Sequence, residues 1–87
     1  MAKVFVVTGL LEMEDCLPEA HGFTDAFNNI DEAQTYMKNY MERMHPDTKS
    51  MMEGADDVEE FMQDREHSWY SPSLGIYFSQ MIHEFNI

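Results

Sequence analysis

Cysteine, cations and long apolar runs are all scarce in this sequence, and each scarcity excludes something. Cys16 is the only cysteine, so no internal disulfide and no cysteine-based zinc site can form; the usage fits a reducing compartment. Its neighbours Glu14 and Asp15 disfavour the thiolate, which blunts Cys16 as a nucleophile. Five Lys plus Arg stand against seventeen Asp plus Glu, a formal net charge of −12 on 87 residues. Direct binding to nucleic acid or to an anionic membrane surface is therefore disfavoured, since both are polyanions. Uninterrupted apolar runs span only a few residues, far short of the ~20 that a membrane helix needs. The apolar stretch near Met1 is followed by no cleavage pattern, so a cytoplasmic location is expected.

Catalytic signatures are missing as well. There is no glycine-rich phosphate loop, no nucleophile elbow and no twelve-residue calcium loop. His21, His45, His67 and His83 fall on four separate segments without metal-ligand spacing. Asp56 and Asp57 with Glu60 would hold a hard cation only weakly. The expectation is a protein that is not an enzyme and uses no cofactor and no metal.

What is present suffices for one core. Hydrophobic residues make up 44% of the chain and aromatics 13%, too many for a disordered segment. No linker, repeat or low-complexity tract divides residues 1–87, which read as a single domain. Residues 3–11 (KVFVVTGLL) are rich in β-branched and aromatic types and predict a strand, buried on both faces and central in a small sheet. Residues 12–19 read as an exposed acidic connection, and residues 21–27 (HGFTDAF) as a second strand antiparallel to the first.

Residues 29–45 carry the clearest helical signal. Asn29 can cap the first turn, with Glu32 three positions on, and Ile30, Ala33, Met37, Tyr40, Met41 and Met44 recur along one face. Pro46 ends the helix. Residues 47–66 predict a second helix, interrupted or restarted near Gly54, with Asp56 or Asp57 capping a run through Val58, Phe61 and Met62. Residues 74–87 fit either a helical stripe or a strand; the balance favours a strand in a hairpin with residues 68–71. The fold class expected is α+β: a small antiparallel sheet with two helices packed on one face, in the order β-β-α-α-β, with a further β if the hairpin forms.

The excess of carboxylates is the main functional pointer. Glu53, Asp56, Asp57, Glu59, Glu60, Asp64 and Glu66 fall within fourteen residues, offset only by Arg65. As a helix this segment would be ~20 Å long. It would carry one negative charge per ~3 Å, near the ~3.4 Å per charge of a single DNA strand. Glu12, Glu14, Asp15 and Glu19 form a second group. The plainer reading is a solvated helix face that serves solubility, although a small domain needs a net charge of only about 2–8 for that. Nine methionines are the other excess, with Met51-Met52 the pair expected to be exposed, and Trp69-Tyr70 would either anchor a partner or cap the core.

Together the opening strand, the acidic connection and the run HGFTDAFNNIDEAQTYM resemble in general style the short proteins of bacteriophages and mobile elements. That resemblance implies host-cell cytoplasm as the setting. The expected function is an acidic inhibitor that binds a basic, nucleic-acid-handling protein and occludes its nucleic-acid site, such as an anti-CRISPR or anti-restriction protein. Its partner-binding residues would be Glu53, Asp56, Asp57, Glu59, Glu60, Asp64, Glu66, Glu12, Glu14 and Asp15. The alternative is a non-catalytic adaptor that grips a partner through a Met-rich and aromatic surface. A homodimer of structural role is a third, weaker possibility.

Overall fold

A strand that alternates in burial needs a layer on only one side, and the first strand of this chain does so. The protein's structure is a computed structural model that describes residues 2–13 and 19–87 and, for residues 19–21, the backbone alone. In chain order it forms β1 (Lys3–Met13), β2 (Glu19–Phe27), α1 (Ile30–Met44), α2 (Pro46–Glu53), β3 (Glu59–Met62), β4 (Glu66–Ser71) and β5 (Ile76–Asn86). The strands pair antiparallel in one sheet, ordered β2-β1-β5-β4-β3, with both helices on one face. This is the expected α+β fold, with a fifth strand. The hairpin of β4 and β5 is present, and β1 and β2 pair as expected. Most of the acidic connection, residues 14–18, lies outside the described residues. No helix among the described residues is long and apolar enough to cross a membrane.

Two expectations about the strands need correction. β1 is not buried on both faces: Phe5, Val7 and Leu11 point into the core, while Val4, Val6 and Leu10 are half-buried on the other side. Among the described residues no second layer covers them, and one packed face is the usual arrangement for an antiparallel sheet. Nor is the segment after Gly54 a helix. α2 ends at Glu53, Gly54 returns its N–H to Ser50, and residues 59–62 join the sheet edge instead. Val58, Phe61 and Met62 were too few to define a helical stripe. Glu59–Met62 gains backbone partners from β4, register Glu59↔Tyr70 to Met62↔His67.

α1 follows its sequence signals closely. The Asn29 side chain accepts a hydrogen bond from the Glu32 N–H at 2.8 Å, satisfying one of the orphan donors of the first turn. Ala33, Met37, Tyr40 and Met41 are buried against the sheet, but Met44 is 59% exposed, so the stripe stops a turn short of the end. In α2, Met52 is buried and Met51 exposed, so the pair splits. Trp69 and Tyr70 split likewise, because adjacent strand residues face opposite ways: Trp69 enters the core and Tyr70 faces out.

The core has two parts that meet at Phe23. One joins Leu11, Tyr40, Met41, Met52, Trp69, Ile76 and Phe78; the other joins Phe5, Val7, Ala33, Met37 and Ile82. Phe23 stacks on Tyr40 with ring centroids 3.8 Å apart. It reaches that position by lying across Gly9, where an added Cβ would fall 2.1 Å from the ring. Glycine is required there by close approach rather than by backbone shape.

The core boundary on α1 makes a testable contrast. Met37→Ala should cost about 2–5 kcal/mol by leaving a cavity. Met44→Ala should change stability by ~0.5 kcal/mol or less, as exposed positions do. Urea unfolding of the two variants beside the parent reads the difference. Equal losses would place Met44 in the core and break the helix register described above.

Candidate functional site

Strand parity sorts every side chain of the sheet onto the helix-covered face or the open one. On the open face, Glu12 of β1 stands opposite Tyr77 of β5, Tyr77 opposite Tyr70 of β4, and Tyr70 opposite Glu59 of β3. One continuous row across four strands therefore reads Glu12, Tyr77, Tyr70, Glu59. The two carboxylate positions are three strand spacings apart, about 14 Å. Glu66 lies on the same face, opposite Met81. One carboxylate of the first acidic group, Glu12, thus shares a surface with two of the second, Glu59 and Glu66.

The cations do the opposite. Lys38 and Arg43 are on α1 and Lys49 is on α2, where it pairs with Glu53 at 2.9 Å. Lys3 and Arg65 converge on Glu84, at 3.9 and 3.2 Å, and Arg65 lies over the Phe5 ring. Glu84 and Phe5 are register partners on the helix-covered side. All five Lys and Arg residues are accordingly on that side. Its carboxylates are mixed with counter-charges, whereas those of the open face have none among their strand neighbours.

Between its carboxylates the open face is aromatic and apolar. Phe61, Tyr70, Tyr77, Met81 and Phe85 are all at least 40% exposed. The Tyr70 and Tyr77 rings meet edge to face, 5.8 Å apart. Beside them is a cleft of about 70 Å³ lined by Glu12, Tyr70, Pro72, Gly75 and Tyr77. Its floor depends on Gly75, whose φ of 64° is in the left-handed region and closes the turn between β4 and β5. Small side chains at Thr8, Ser68 and Ser79 keep the middle of the face shallow, and His83 is anchored there by Thr8 at 2.9 Å.

The carboxylates expected to act as one row are therefore dispersed. Glu12, Glu59 and Glu66 share the open face. Glu53 is on α2, Asp56 precedes β3, and Asp64 is in the turn from β3 to β4. Glu14 and Asp15 lie outside the described residues. A rigid helix with one charge per ~3 Å does not form, so the charge spacing of a nucleic-acid strand is not reproduced in that way.

Asp57 and Glu60, among the described carboxylates, are engaged by other side chains of the fold. Asp57 accepts hydrogen bonds from the Ser73 hydroxyl at 2.7 Å, the Ser73 N–H at 2.7 Å and the Ser71 hydroxyl at 2.9 Å. It ties the start of β3 to the turn between β4 and β5, directly behind the Tyr cleft. Glu60 faces the helices and meets the buried His67 Nε2 at 3.1 Å. His67 Nδ1 is 3.0 Å from the Gln80 amide nitrogen, which also donates to the Met37 carbonyl. Nδ1 therefore accepts, and Nε2 carries the hydrogen donated to Glu60. Neither engagement was visible in the sequence, because the partners are 7 to 43 residues apart.

Among the described residues, no group of three or more His, Cys, Asp or Glu side chains is placed to hold a metal ion. No protein-family model matches the chain, and no curated protein or solved structure resembles it significantly.

Asp57 makes a pH prediction. Hydrogen bonds from the Ser73 hydroxyl, the Ser73 N–H and the Ser71 hydroxyl, offset in part by desolvation, hold its carboxyl below its ordinary value of 3.8. A group whose folded pKa is depressed stabilises the fold above its unfolded pKa and loses that contribution as the pH falls through the folded value. The parent should therefore lose more stability than Asp57→Asn between neutral pH and pH below about 4. Urea midpoints for both proteins at the two pH values measure this. Parallel midpoints would mean that Asp57 does not bind the turn as a carboxylate.

Proposed function

We propose that the protein is a non-catalytic inhibitor that docks the open face of its sheet onto a cationic surface of a nucleic-acid-handling protein. Occlusion of the nucleic-acid site follows from occupying the surface that would hold the phosphates. The observation that carries this reading is the segregation of charge: five cations on the helix side, and Glu12, Glu59 and Glu66 without a cation among the exposed aromatics of the other side. An interface of this kind takes orientation and association rate from its charges and most of its affinity from a few buried aromatics. The mimicry this supports is of a polyanionic surface rather than of a linear strand.

The adaptor reading has one specific support, the exposed group Phe61, Tyr70, Tyr77, Met81 and Phe85. It uses the same face but assigns affinity to apolar contact, with acidity serving solubility. The methionine part is weaker, because Met37, Met41 and Met52 are buried and, among the described residues, only Met81 shares the face.

Salt and position separate the two. A fluorescent deca-arginine peptide stands in for the cationic surface, read by anisotropy at low and high salt. The triple variant Glu12→Gln/Glu59→Gln/Glu66→Gln should bind at least about tenfold more weakly than the parent at low salt. The helix-side triple Asp31→Asn/Glu42→Gln/Asp47→Asn, with the same change in net charge, should lose much less. Equal losses in both triples would remove the face from the reading and leave only bulk charge.

A further inference from the structure

The cleft at the end of the open face has the composition of a receptor for one cationic side chain. It is lined by Tyr70 and Tyr77, whose rings meet edge to face, by Glu12 beside them, and by Pro72 and Gly75 of the turn. An aromatic face attracts a cation electrostatically within about 6 Å of the ring centroid, and a carboxylate at its edge supplies the counter-charge. The Glu59 position extends the row beyond Tyr70, so both ends of the aromatic pair are flanked by negative charge.

Size restricts the ligand. About 70 Å³ is far below the ~300–1,000 Å³ of a small-molecule pocket, so neither a nucleotide nor an extended cofactor fits. A single head group does. The edge-to-face rings, 65° apart, offer one flat face and one edge, which suits a planar group better than a spherical ammonium. Guanidinium is planar, stacks on aromatic faces and pairs with a carboxylate through two parallel N–H donors.

The geometry points to Glu12, Tyr70 and Tyr77 as a pocket that receives one arginine side chain of the partner protein. It rests on the reading of the open face as the docking surface and gives that surface its anchor. Turn and pocket are coupled, because Asp57 holds Ser71 and Ser73 on either side of Pro72 while Gly75 sets the turn behind Tyr77. The pocket is thus built on a braced hairpin rather than on a free loop.

The test uses the whole protein and a capped arginine, N-acetyl-arginine amide, followed by the aromatic NMR signals of Tyr70 and Tyr77. N-acetyl-citrulline amide is the neutral control of the same shape, and the lysine analogue is the non-planar cation. Arginine should move both ring signals along a saturating curve. It should bind about threefold to tenfold more tightly than citrulline, with lysine between them. Tyr77→Leu should abolish saturation, and Glu12→Gln should lower the affinity by a similar factor while the remaining amide signals stay in place. Equal binding of citrulline, or unchanged arginine binding in Tyr77→Leu and Glu12→Gln, would overturn the pocket. The deca-arginine measurement stands apart from this one. Loss of the pocket with retention of the face-specific charge effect removes only the anchor, whereas loss of that charge effect removes the docking surface itself.

Discussion

Eleven consecutive pairings, from Lys3 with Asn86 to Met13 with Ile76, zip the first strand of this chain to the last. Ala2 and Ile87 extend the ladder by exchanging backbone hydrogen bonds in both directions. Closing nearly the whole chain into one loop carries a large entropic penalty before any contact stabilises it, so the pairing is held by burial rather than by hydrogen bonds alone. Phe5, Val7 and Leu11 on β1 and Ile76, Phe78 and Ile82 on β5 all fall on one side of this ladder. A slip of one residue would turn each of them to the opposite face, which makes the register the constraint that every other element must satisfy.

The remaining architecture follows from that one-sidedness. Two helices have to cover a single apolar face, and α1 does so with a narrow stripe ending at Met41. α2 adds only Met52, and the sheet is completed on its far side by β4 and the short β3. Polar groups in the core are joined in a chain that runs from Glu60 through His67 and the Gln80 amide nitrogen to the Met37 carbonyl, and the buried Gln80 Oε1 is left without a partner. Asp57 ties polar groups together at the surface, adding three hydrogen bonds to a turn in which the Gly75 N–H also donates to the Pro72 carbonyl and the Leu74 N–H to the Ser71 hydroxyl.

Elements with strong local signals were legible in the sequence. The α1 cap, the strand character of residues 3–11 and the hairpin of β4 and β5 each rest on neighbouring residues. The segment after Gly54 was misread because a dense run of Asp and Glu with a few apolar residues suits a solvated helix as well as an edge strand. Pairing with β4, a tertiary event, decided between them. Split pairs such as Met51-Met52 and Trp69-Tyr70 were unreadable for a related reason: facing depends on parity and helix phase, which composition does not carry. Of the candidate carboxylates, Glu12, Glu59 and Glu66 could be brought together only by knowing the order β1-β5-β4-β3. Asp57 and Glu60 looked like their neighbours in sequence but became structural through contacts with Ser71, Ser73 and His67.

An uncovered sheet face with five large exposed apolar side chains is ordinarily an aggregation hazard, and the charge bears on that directly. Two copies stacked face to face would bring Glu12, Glu59 and Glu66 of each against the other, with no cation on either surface to pair with them. At distances within a Debye length of ~8 Å this repulsion is only partly screened at physiological salt. The same carboxylates that disfavour self-association favour a cationic surface, so one arrangement supplies both exclusion and selection. On the proposed reading, the apolar strip stays accessible because the charge around it admits only partners of opposite sign. On that reading the three carboxylates of the open face have a role beyond solubility, which is to keep the face accessible until a basic surface covers it.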